Sequence, residues 1–170
     1  MNSNSWTDPR DGIVIYFHLV APKEPQELLL AAGCGELHDL PTVAMPYWLF
    51  EYIFDTLRWI PTERGALIRV PMERPFITSA GAAVARRVFA GWKQLFSISE
   101  KDVLLTRGGT IPATKVLISR EELVGCFESL EKLTLEIESG KKVIYCSDAL
   151  DYRATATADM SRRIQANVAV

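Results

Sequence analysis

Four residues able to do chemistry stand close together near the start of the chain: Cys34, Glu36, His38 and Asp39, set among Gly33 and Gly35. A cysteine and a histidine four positions apart could form a nucleophile and its base, because an adjacent imidazole stabilises the thiolate. The same pair could supply two metal ligands and would then need two more from elsewhere. No paired-cysteine zinc spacing accompanies them, and glycines around a cysteine are accounted for by the end of a helix. The cluster therefore reads first as an ordinary loop with a half-buried thiol. Neither a metal nor a cofactor is expected. Cys34 and His38 remain the pair on which a catalytic or ligand-binding pocket would be centred. His18 lies inside an apolar run and reads as a core histidine with its hydrogen bonds satisfied. Cys126 and Cys146 fall in core-like segments and read as small hydrophobes. Arg107-Gly108-Gly109-Thr110 is glycine-rich but lacks the lysine and hydroxyl spacing of a phosphate loop, so it reads as a hairpin turn. The sequence has no serine elbow, His-Glu-x-x-His, dinucleotide fingerprint or calcium loop.

A second kind of chemistry, recognition, is suggested by the aromatic run from Tyr47 to Ile60. Six of the thirteen residues from Tyr47 to Trp59 are aromatic. Glu51, Asp55 and Arg58 recur at spacings of four and three, which on one helix makes a single narrow polar stripe. Such a helix is buried over most of its circumference, and Phe50 and Phe54 are expected in the core. Trp48 and Trp59 are eleven residues apart, about 20° around a continuous helix, so they are expected to share a face with Tyr52. If that face reaches solvent it is an interface of the kind aromatic side chains favour.

The elements that position these residues follow from periodicity. Ile13 to Val20 is a dense β-branched and aromatic run and predicts a strand buried on both faces. Pro25 starts a short helix that Gly33 and Gly35 end. A loop punctuated by Pro41 and Pro46 leads into the aromatic helix, which Pro61 stops. Gly65 to Val70 reads as a strand and the stretch from Pro71 to Pro75 as loop. Thr78 or Ser79 caps a helix running to about Phe96, with Val84, Val88, Trp92 and Leu95 as its apolar face. Gly81, Ala82, Ala83, Ala85 and Ala90 thin this helix for close approach, and Gly91 suggests a packing reason. Asp102 to Thr106 and Lys115 to Ser119 read as strands around the Gly108-Gly109 turn. Ser119 and Glu122 form a capping box before a helix whose face is Leu123, Phe127, Leu130, Leu133 and Ile137. Leu133, Leu135 and Ile137 also alternate as a strand would, but a continuous helix is preferred. Val143 to Cys146 closes the pattern as a strand.

These elements predict one α+β domain over residues 12–148, a mixed sheet of about five strands with four helices packed on it. Residues 1–11 read as a flexible tail, and 149–170 as a docked helix or a disordered tail. With 170 residues and 48% hydrophobic content the chain can bury one sizeable core. The polar start suggests no signal peptide, and no apolar run is long enough for a membrane helix. With three unpaired cysteines, this points to the reducing cytoplasm. The net charge of −2 gives no electrostatic reason to expect nucleic acid. The charge is uneven: Glu24 to Leu57 holds six acids and no lysine or arginine, whereas Thr78 to Ser99 holds Arg86, Arg87 and Lys93 and no acid. The two segments are expected to face each other, with Glu51 or Asp55 near Arg86 or Arg87. The expected function is that of a small non-catalytic binding protein, inhibitor- or antitoxin-like by analogy, whose partner is another protein or itself as a homodimer. The binding residues would be Trp48, Tyr52, Trp59, Glu51, Asp55, Arg86 and Arg87.

Overall fold

The computed structural model describes residues 14–22, 37, 40–63, 65–66, 76–107 and 114–148. Its elements in chain order are β1 (Val14–Val20), β2 (Thr42–Pro46), α1 (Tyr47–Tyr52), α2 (Phe54–Leu57), β3 (Pro61–Thr62), β4 (Gly65–Ala66), β5 (Phe76–Ile77), α3 (Ser79–Ser97), β6 (Asp102–Arg107), β7 (Thr114–Ser119), α4 (Arg120–Ile137) and β8 (Val143–Asp148). Strands and helices form the expected single α+β domain. The central sheet has four strands in the order β2-β1-β8-β5, and β3-β4 and β6-β7 are separate two-stranded ribbons. Every pair is antiparallel.

Alternation along β1 places Ile15, Phe17 and Leu19 on the helical side, where Phe17 meets Phe89 of α3 edge-on at 6.3 Å. Tyr16, His18 and Val20 point to the opposite side. There a smaller cluster joins Val20, Leu37, Phe76, Val143 and Tyr145. The strand is thus buried on both faces, as its unbroken apolar run implies.

Helices α3 and α4 pack antiparallel. Arg86 pairs with Glu138 and Lys93 with Glu131, so the two helices run past each other at a constant register. Trp92, Phe96 and Phe127 stack between them. Ser119 caps α4 by accepting from the Glu122 N–H at 3.2 Å. Residues 133–137 continue that helix, with Leu133, Thr134 and Ile137 buried and Leu135 exposed.

Several expectations are corrected. The aromatic helix is not continuous: it breaks into α1 and α2 at Ile53. The stretch from Pro41 to Pro46 is not loop, because Thr42–Pro46 forms β2, tied further by a bond from the Leu19 N–H to the Pro41 carbonyl at 2.9 Å. Phe76–Ile77 is a short strand that the prolines around it conceal. The buried stripe of α3 is Gly81, Ala82, Ala85, Phe89 and Phe96, not Val84, Val88, Trp92 and Leu95. Gly81 does allow close approach, since a Cβ there would lie 2.3 Å from the Pro61 carbonyl oxygen. Gly91 has no packing reason, because nothing lies within 4 Å of the place its Cβ would take. The expected helix after Pro25, the Gly108-Gly109 turn and both tails lie outside the described residues.

Candidate functional site

The break at Ile53 decides which aromatic side chains reach solvent. Trp48 is buried in α1, whereas Trp59, just beyond α2, is 68% exposed and Tyr52 is 48% exposed. The expected face of Trp48, Tyr52 and Trp59 is therefore divided: Trp48 belongs to the core, and Tyr52 and Trp59 form an outer pair.

Two anchors hold this pair against α3. The Trp92 indole N–H donates to the Thr56 hydroxyl at 2.7 Å, and Thr56 in turn donates to the Ile53 carbonyl at 2.7 Å. The second anchor is the Pro61 carbonyl seated over Gly81. Thr56 at Trp92 and Pro61 at Gly81 set the segment antiparallel to α3, with Trp59 between the anchors. Tyr52 meets Trp92 edge-on at 5.8 Å.

The flank of α3 turned toward this segment carries Val84, Val88, Gly91 and Leu95, at helical spacings of four, three and four. Val84 and Val88 are partly buried, Gly91 is exposed without a side chain, and Leu95 is 56% exposed. The opposite flank carries Arg86 and Lys93 and is engaged by α4. An apolar strip thus follows the seam between the aromatic segment and α3. Exposed Glu51, Asp55 and Arg58 edge it on one side and exposed Arg87 on the other. None of these four makes an ion pair with a described residue. The acidic and basic segments do meet, but through Thr56, Tyr52 and Trp92, and Arg86 is engaged by Glu138 rather than by Glu51 or Asp55.

The β6-β7 ribbon carries a second apolar spot that periodicity could have shown. Val103 and Leu105 face inward, so Leu104 and its cross-strand partner Leu117 face outward, 55% and 65% exposed. Leu95 was expected inside because four apolar residues at helical spacing do not say which of two adjacent stripes is buried.

On the far side of the sheet, Thr42, His18, Tyr145 and Phe76 form one row across the four strands. His18 is buried, with Nδ1 2.9 Å from Thr42 Oγ1 and Nε2 2.9 Å from Ser147 Oγ. Thr42 Oγ1 already donates to the Leu40 carbonyl at 2.9 Å, so it accepts from Nδ1–H. Nε2 is then the acceptor for the Ser147 hydroxyl. Each partner in this chain has the role the next one needs. A serine donating to imidazole has the form of a nucleophile–base pair, but Ser147 and His18 are both sealed from solvent and the third group is a neutral hydroxyl. The arrangement satisfies a buried histidine. Burial also raises the Tyr16 hydroxyl pKa beside it.

Cys34, Glu36, His38 and Asp39 lie outside the described residues. Cys126 and Cys146 are buried free thiols. Burial pushes Cys126 up to about 12, and burial together with the charge of Glu63 raises Cys146 further still. Among the described residues no group of three or more His, Cys, Asp or Glu could hold a metal ion. No described helix is long and apolar enough to cross a membrane. The chain matches no family model, and neither a curated protein nor a solved structure is similar to it.

Proposed function

We propose that this is a small cytoplasmic binding protein without catalysis of its own, acting through a protein interface on the Tyr52–Trp59 strip, with another protein or a second copy as partner. The observation that supports it is Trp59, a large amphipathic ring left 68% exposed beside Tyr52 and Leu95. Tryptophan, tyrosine and arginine are the residues that most often carry binding energy at interfaces. The apolar middle and charged edges of the strip match the usual anatomy of a binding patch. The buried, free Cys126 and Cys146 accord with a reducing compartment.

The test compares captures from source-cell extract by the wild-type protein and by Trp59→Glu, together with the sedimentation of each. The reading expects a partner, or self-association, that the variant loses while keeping the wild-type circular dichroism. Equal capture and equal mass for both proteins would overturn it.

A further inference from the structure

We infer that the occupant of the Tyr52–Trp59 strip is a second copy of this chain, docked about a twofold axis through the middle of the strip. This rests on the strip being the binding face, and adds its partner and the charges that select it. The two long edges of the strip differ in sign. Glu51 and Asp55 line the edge on the α1–α2 side, with Arg58 at its end, and Arg87 lies on the α3 side, next to Val84, Val88 and Gly91. Twofold symmetry exchanges the edges, because the same surface contributes both halves of the contact. Thr56 lies level with Trp92 and Pro61 level with Gly81, so Asp55 and Arg87 fall on opposite sides of the middle of the strip. Rotation about that middle brings Asp55 of each copy toward Arg87 of the other. It also lays the Trp59 ring of one copy over the low, side-chain-free surface at Gly91 of the other. Opposite charges aligned in this way set register and partner choice more than bulk affinity. Both groups lack ion-pair partners among the described residues, so no internal salt bridge has to break first.

The experiment uses two charge reversals, Asp55→Lys and Arg87→Glu, in the full chain. The monomer–dimer constant is measured by sedimentation equilibrium, and urea midpoints show that each variant is folded. Each reversal places like charges at two symmetric contacts, so each should weaken its own dimer by about tenfold or more. Mixed in equal amounts, the two variants should form a heterodimer with affinity near the wild type, since both contacts are then of opposite sign. Failure of the mixture to associate, or a wild-type chain that is monomeric at every concentration, overturns the twofold arrangement. A dimer lost by Trp59→Glu but untouched by either reversal keeps the strip as the binding face and overturns the charge pairing. A dimer that survives Trp59→Glu and is lost by Leu117→Lys overturns both, and moves the interface to the β6-β7 ribbon.

Discussion

Replacing Gly81 and Gly91 by alanine should have opposite effects on stability, although both glycines lie in the same helix. In α3 either substitution gains up to about 1 kcal/mol of helix propensity, because alanine leaves the unfolded chain less freedom to lose. At Gly91 nothing lies within 4 Å of the new Cβ, so that gain is kept. At Gly81 the new Cβ would stand 2.3 Å from the Pro61 carbonyl oxygen and 3.2 Å from Ile77 Cγ2. The nearer atom is backbone, so the Pro61 segment must move off the helix. Overpacking of this kind costs about 1–3 kcal/mol, occasionally more. The two variants should therefore differ by about 2–3 kcal/mol, Gly91→Ala above the wild type and Gly81→Ala below it. Urea denaturation with tryptophan fluorescence reads both, and equal slopes would confirm that only stability changed. If Gly81→Ala is as stable as Gly91→Ala, Pro61 is not seated on α3, and the anchor that places Trp59 is wrong.

Three further outcomes follow from the same contacts. Phe50→Ala should lose about 3–5 kcal/mol in chemical denaturation, since the ring is buried, and Phe54→Ala less, since that ring is only partly buried. His18→Leu should lose about 1–3 kcal/mol, because the Thr42 and Ser147 hydroxyls both lose a partner; no loss in a urea titration would refute the hydrogen-bonded chain. The thiols give a pH dependence. Their pKa is raised in the fold, so their neutral form is favoured there, and the contribution is whole below the unfolded value near 9 and falls as pH rises above it. Each thiol should lower stability by about 1.4 kcal/mol per pH unit above that value. Urea midpoints from pH 8 to 10.5 check this, and a fall no shallower in Cys126→Ala would contradict it.

Long periodic segments were legible in the sequence. Ile13 to Val20, the helix after Ser119 and the Val143 strand each carry a pattern that burial alone enforces, and their faces were assigned nearly as they stand. Local conflicts were not legible. The aromatic run holds apolar residues all round, so periodicity could not show a break at Ile53, and that break is what separates Trp48 from Trp59. Strand β2 is five residues between two prolines, and its ladder to β1 is a tertiary contact that no local pattern records. On α3 the choice between the Val84–Leu95 stripe and the Ala82–Phe96 stripe was made by the neighbours. Alanines fit under the sheet and the Pro61 segment, and the bulkier stripe was left at the seam. The tautomer of His18 likewise depends on Thr42, 24 residues away, and on Ser147, 129 residues away.

The central claim is that Trp59 is covered when this protein binds. The chain has four tryptophans, at positions 6, 48, 59 and 92. Biosynthetic 5-fluorotryptophan would give each its own fluorine resonance, assigned with Trp59→Phe and its counterparts. The resonances would be followed from micromolar to millimolar protein, with and without source-cell extract. The Trp59 signal should shift and broaden as the strip is covered, while that of buried Trp48 stays in place. A Trp59 signal that holds its solvent-exposed position at every concentration, and in the presence of extract, would contradict the account.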